Sequence, residues 1–268
     1  MHVASASYTT TLTALPPRQQ GEHTKSPIEA IEAAIDTNTS LLLGVWASAG
    51  DERMDNELGG ILNAVKQFGD HFCALVAGIS VGSEDLYRNS PTGIAAGSYA
   101  GAEPAKLAEY IGWTREAIED TCLAEVPIGH VDTWTAWVNG SNQAVIDACD
   151  WIGMDAYPYF QDTQYNPIDH GADLFNEALG ATDAAAGDKE VWVTETGWPI
   201  SGKTVGQAVP SLQNAKTFWD EVGCPMFGDR NVWWYTLQDA NPDTPNPSFG
   251  VTGSAVSNRP LFDLTCPS

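Results

Sequence analysis

Apolar residues gather in six short runs along the chain, at 40–46, 75–82, 127–134, 151–157, 190–195 and 231–237. Between them lie longer, Ala-rich stretches with amphipathic spacing, at 27–37, 54–67, 104–123, 140–149, 171–186 and 211–222. Runs of four to eight apolar residues alternating with helix-length segments are the pattern of βαβ units around a parallel sheet. The first helix is placed by Ser26 and Pro27, a capping residue followed by Pro at the first helical position.

Each of the six runs ends in polar or aromatic residues: Trp46, Glu84, Asp132 with Trp134, Tyr157, Glu195, and Gln238 with Asp239. In a barrel of parallel strands the C-terminal ends open on one face, and barrel enzymes carry their sites there. An open doubly wound sheet would also align strand ends, but its dinucleotide-binding turn, G-x-G-x-x-G, does not occur in the sequence. A complete barrel needs eight strands in about 250 residues, so residues 1–26 would have to supply two. Residues 4–12 can form a strand. Residues 16–25 are polar, begin with Pro16-Pro17, and read as a loop. The expected fold is α/β, a (β/α)8 TIM barrel incomplete at its N-terminus, with the first one or two strands missing or replaced. Residues 1–25 are then an atypical N-terminal segment and 26–268 the barrel domain.

The charge balance narrows the partners. Twelve Lys and Arg against 35 Asp and Glu give a formal charge of -23, which repels phosphate backbones and anionic membranes and leaves neutral ligands such as sugars compatible. No 18-residue apolar run occurs, so no transmembrane segment is expected. Residues 1–15 lack the basic and apolar regions of a signal peptide. Five cysteines, at 73, 122, 149, 224 and 266, show no C-x-x-C and no Cys/His clustering, so neither a metal nor another cofactor is expected. With sequons at Asn38 and Asn139, they fit a secretory route with two disulfides and one free thiol.

Two carboxylates stand out because each ends an apolar run: Glu84 after Val76-Ala77-Gly78-Ile79-Ser80-Val81-Gly82-Ser83, and Glu195 after Val191-Trp192-Val193-Thr194. Barrel geometry would bring them to one pocket, and cleavage of a glycosidic bond needs two such groups.

The segment Val193-Thr194-Glu195-Thr196-Gly197-Trp198-Pro199 resembles the nucleophile signature of family-17 glycoside hydrolases, the β-1,3-glucanases of fungi and plants. Ile79-Ser80-Val81-Gly82-Ser83-Glu84-Asp85-Leu86-Tyr87-Arg88 is similar to that family's acid/base strand, in the form of fungal cell-wall endo-1,3-β-glucosidases. Likeness continues through Pro127-Ile128-Gly129-His130-Val131-Asp132-Thr133-Trp134, Asp155-Ala156-Tyr157-Pro158-Tyr159-Phe160 and Trp233-Trp234-Tyr235-Thr236-Leu237-Gln238-Asp239. Ser83 stands where the wider clan commonly carries Asn, and residues 1–26 hold no counterpart of the family's first two strands.

The resemblance implies retaining endo-hydrolysis of β-1,3-glucosidic bonds in cell-wall glucan by a monomer, with Glu195 as nucleophile and Glu84 as acid/base. It further implies that Tyr157 hydrogen-bonds the nucleophile, that Trp134, Trp198 and Trp234 stack on glucose rings, and that Asp132 binds sugar hydroxyls. Cys224 with Cys266 is the pairing it suggests, and the cell wall or the exterior is the location it suggests. Glu84 would be protonated and Glu195 ionised at working pH, giving an acidic optimum. Two alternatives share the cleft: a catalytically impaired glucan-binding wall protein, and a β-1,3-glucan transglycosylase.

Overall fold

The computed structural model describes residues 25–241 and 243–267. All six expected strands are found there: β1 (Leu41–Val45), β2 (Val76–Ser83), β3 (Ile128–Thr133), β4 (Trp151–Asp155), β5 (Glu190–Thr196) and β6 (Val232–Trp234). They form one sheet in the order β1-β2-β3-β4-β5-β6, and β1 with β2, β2 with β3 and β5 with β6 pair in parallel register. Strictly sequential parallel order with helices between the strands is the connectivity of a (β/α) barrel, of which six strands lie among the described residues. The expected strand at 4–12 falls outside them.

Seven helices matter for the argument: α1 (Ala30–Thr37), α2 (Asp51–Phe68), the single turn α3 (Asp85–Arg88), α4 (Pro104–Ile118), α5 (Gln143–Ala148), α6 (Gly171–Ala186) and α7 (Leu212–Phe218). The expected start at Ser26-Pro27 is corrected: α1 begins at Ala30 after Glu29, which makes no side-chain cap. Residue 25 is tied to α2 instead. Its carbonyl accepts from Asn63 at 2.7 Å and its ammonium pairs with Asp55 at 2.7 Å. The helix expected to run to 222 is capped by the Ser211 hydroxyl on the Asn214 N–H at 3.0 Å and gives way at Trp219 to a π-turn, Trp219–Gly223.

The chain forms two compact units. The first holds residues 25–153 and 185–191; Leu43, Val45, Ile79, Val81 and Ile128 of its strands are buried with Met54 of α2 and Leu107 and Ile111 of α4. The second holds 154–184 and 192–267, and its core is aromatic: Phe175 of α6, Phe218 of α7, Trp198 and Trp219. Each unit contains one disulfide, Cys73–Cys122 in the first and Cys224–Cys266 in the second, and Cys149 is a free, buried thiol.

Candidate functional site

In the first unit, register fixes where β2 ends. Ile79, Ser80 and Ser83 pair with Ile128, Gly129 and Val131, so three residues of β2 advance while β3 advances two. Such an extra residue breaks the ladder and re-aims the strand end. Glu84 follows immediately, half-buried, with φ +53°. For a residue with a Cβ the left-handed region costs about 1–2 kcal/mol, so neighbouring contacts must hold it there.

Those contacts are numerous. The Glu84 N–H donates to the Val131 carbonyl at 2.9 Å, and its own carbonyl accepts from the Arg88 N–H at 2.9 Å and from Arg88 Nε at 3.2 Å. Arg88 Nη2 also donates to the Ser83 carbonyl at 2.6 Å, and the guanidinium lies 4.5 Å from the centre of the Trp46 ring. Asp85 is fully buried; its Oδ2 accepts from the Ser83 N–H at 2.8 Å, and its Oδ1 sits 3.0 Å from Arg88 Nη2, paired by charge without hydrogen-bond alignment. Burial pushes the Asp85 carboxyl up, against the charges of His130 and Arg88. Gly82, at φ +82°, must lack a side chain, since a Cβ there would come within 2.2 Å of Asp85 Oδ2.

In the second unit the same device recurs. Val193 and Thr196 pair with Val232 and Trp234, again three residues against two, and Glu195 lies inside the irregular stretch. Its backbone is pinned by the Ala156 N–H, which donates to the Glu195 carbonyl at 3.0 Å, while Thr194 and Thr196 hydroxyls donate to Asp155 Oδ1 at 2.7 Å and the Ala156 carbonyl at 2.8 Å. Tyr157 Oη donates to Glu195 Oε2 at 2.7 Å. Glu195 keeps some exposed surface, yet its carboxyl is closely surrounded, and burial raises it above the ordinary carboxylate value while the Tyr157 bond pulls it back down. Burial and the Glu195 charge drive the Tyr157 phenol well above its ordinary value, so it stays a proton-bearing donor.

Two expectations are reversed by burial. Asp132 has no exposed surface: its Oδ2 accepts from the Leu86 N–H at 2.8 Å and contacts His130 Nε2 at 3.0 Å, and its Oδ1 accepts from the N–H groups of Tyr87 at 3.2 Å and Thr133 at 2.8 Å. It holds backbone, with no oxygen left for a sugar hydroxyl. Trp198 is 2% exposed, donates its indole N–H to the Val209 carbonyl at 3.0 Å and packs on Phe218 and Tyr159, with no ring face free for stacking. Trp234 is half-buried against Trp219 and Phe218, at 4.9 and 5.8 Å between ring centres. Trp134 is half-buried at the start of the helical turn Trp134–Trp137 that follows β3.

The exposed rings beside Tyr157 are different ones. Phe160, half exposed, and Tyr235 each lie 5.9 Å from the Tyr157 ring, and the buried Phe249 lies 5.5 Å from it. Phe160 and Tyr235 both sit inside strand-end motifs already singled out in the sequence. Chemically, the second unit offers a carboxylate with a fixed phenol donor and an aromatic rim; the first offers a carboxylate on a rigid left-handed turn.

A sequence model of the BtgE/BtgC glycoside hydrolase domain matches residues 23–253. The chain is 59% identical over 247 residues to a protein of Aspergillus fumigatus named probable glucan endo-1,3-beta-glucosidase eglC, covering 92% of this chain and 55% of that protein. It is 31% identical over 242 residues to the glucan 1,3-beta-glucosidase of Schizosaccharomyces pombe, covering 86% and 69% respectively. The chain thus spans about half the length of the Aspergillus relative. Among solved structures, the family 17 beta-1,3-glucanosyltransferase of Rhizomucor miehei superimposes with a TM-score of 0.72 at 24% identity, over 88% of this chain and 80% of that one, a likeness of fold.

Proposed function

Because the chain belongs to the BtgE/BtgC glycoside hydrolase domain family, we propose that it hydrolyses internal β-1,3-glucosidic bonds of cell-wall glucan by a retaining double displacement. The observation that carries this reading is the 2.7 Å bond from Tyr157 to Glu195 at the irregular end of β5; the names of the relatives support the substrate.

In the first step Glu195 Oε attacks the anomeric carbon while Glu84 gives its proton to the departing glycosidic oxygen. In the second, Glu84 takes a proton from water, which attacks the same carbon and expels Glu195. The phenol of Tyr157 orients Glu195 and favours its ionised form, offsetting the cost of burying it. Sugar rings would stack on Phe160 and Tyr235, with Trp134 and Trp234 as further contacts. Residues 26–268 would act as one hydrolase domain and as a monomer. Two disulfides support work in an oxidising compartment, outside the cell or in its wall. No helix among the described residues is long and apolar enough to cross a membrane.

The test is digestion of a linear β-1,3-glucan followed by product analysis. The expected outcome is a ladder of short reducing oligosaccharides, with the β-anomer appearing first and β-1,4-glucan left intact. Glucose alone, an α-anomer first, or no release by the folded chain would overturn the reading.

Tyr157→Phe should lower kcat roughly 10- to 100-fold with little change in KM, since a hydrogen bond to a charged group contributes about 1.5–3 kcal/mol. Its loss should also move the acid limb of the pH–rate profile upward, because that bond is what draws the Glu195 value down. An unchanged kcat and acid limb would remove Tyr157 from the mechanism.

A further inference from the structure

His130, on β3, is fully buried, and the proposed chemistry makes no use of it. Its Nδ1 lies 2.6 Å from the Val81 carbonyl oxygen and its Nε2 lies 3.0 Å from Asp132 Oδ2. A carbonyl has no hydrogen to give. Asp132 already receives the N–H groups of Leu86, Tyr87 and Thr133, so its two oxygens are acceptors throughout. Both ring nitrogens therefore face acceptors, and both must carry hydrogen.

We infer that His130 is a buried imidazolium and the positioning residue for Glu84, tying Val81 of β2 to the carboxylate that holds the Leu86 and Tyr87 N–H groups after Glu84. The positioning role rests on Glu84 being the acid/base; the charge of the ring does not. If the ring lost a proton, a bare lone pair would meet either the Val81 carbonyl or Asp132 at about 3 Å, two acceptors in contact. One of them has to move. Val81 lies on β2 three residues before Glu84, and Asp132 grips Leu86 and Tyr87 just after it, so either movement disturbs the left-handed turn.

The groups facing His130 agree with a charged ring. Asp132 and Asp85 are carboxylates, Asp85 is paired with Arg88, and the Trp137 ring stands in a T-shaped contact at 5.6 Å between ring centres. The Cys149 thiol, which reaches the His130 backbone, is pushed up to about 12 by burial and stays neutral. Burial would lower the imidazole value, but the Asp132 bond and charge, the Asp85 charge and the Val81 carbonyl outweigh it and raise it above 6.5. The stabilisation is thus complete below the ordinary histidine value and is lost as pH rises through the raised folded one.

The experiment is a ring-nitrogen NMR titration of the whole chain from pH 5 to 10, beside the pH dependence of kcat and KM on linear β-1,3-glucan. Two protonated ring nitrogens on His130 at pH 6 are expected, with the Leu86 and Tyr87 amides moving at the midpoint at which the ring later loses its proton. An alkaline fall in kcat at that midpoint, with KM unchanged, is expected too. His130→Gln, which cannot donate to both oxygens, should lose up to about 10²-fold in kcat. A neutral ring with one bare nitrogen at pH 6, or amides and kcat indifferent to its titration, would overturn the inference. A coupled titration in a chain that cleaves no glucan would instead refute the proposed function and uphold the charge and its hold on the turn.

Discussion

Glu195→Gln should abolish release of reducing sugar from linear β-1,3-glucan, a fall of roughly 10⁴- to 10⁶-fold, the scale seen when a covalent nucleophile is removed elsewhere. The amide keeps the size of the side chain and can still meet Tyr157, but it cannot attack the anomeric carbon. Glu84→Gln should lose less, roughly 10²- to 10⁴-fold, and least on aryl glucosides whose leaving group departs without a proton. Azide should restore that second variant by attacking the glycosyl-enzyme, giving a β-glucosyl azide, because only the base that activates water is missing. Stability supplies an independent sign. Burial raises the Glu195 carboxyl above 4.5, so the folded state holds its proton longer than the unfolded chain, and stability declines as pH rises from 4.5 through the folded value. Glu195→Gln has no such decline, so it should melt at or above the unmodified chain at neutral pH while being inactive. Activity retained in Glu195→Gln, or inactivity explained by a lower melting temperature, would remove Glu195 from the nucleophile's role.

The six strands were legible because a parallel strand buried on both faces is a short apolar run. The two carboxylates were legible for the same reason: each interrupts such a run at its end. What the pattern could not carry was direction. Asp132 and Trp198 also sit near strand ends, but composition alone does not say whether a side chain there turns out to solvent or back among backbone N–H groups and core rings. Nor could it show that β2 and β5 each gain a residue against their neighbours just where the carboxylates stand, because register is a property of pairs of strands. The Arg88 and Asp85 pair was present as an i, i+3 spacing in the motif, yet such spacing usually marks an exposed helix face. Five cysteines fitted two disulfides and a free thiol; the Cys73–Cys122 partnership had to come from the fold, since connectivity is not encoded in spacing.

That buried pair predicts the largest stability effect. Arg88 is 7% exposed and Asp85 not at all, and removing one partner of a buried ion pair costs about 3–5 kcal/mol because the other is left uncompensated. Arg88→Leu should therefore lower the melting temperature by roughly 6–20 °C at pH 7 in a chain of this size. Part of that loss comes from the vacated Ser83 and Glu84 carbonyls and the Trp46 ring face, and part from the Asp85 charge. The two parts separate with pH. Without Arg88, one of the two charges that hold the Asp85 carboxyl down is gone, so its folded value climbs further above 3.8. A carboxyl with a raised folded value is tolerated while protonated and penalised as pH rises through that value, so the deficit should be smallest near pH 4 and grow toward neutrality. Asp85→Asn in the same background removes the charge while leaving an oxygen for the Ser83 N–H, and should recover more than about 1 kcal/mol. A deficit independent of pH, together with a double variant weaker than Arg88→Leu alone, would show that packing on Trp46, and no charge pair, holds the turn beneath Glu84.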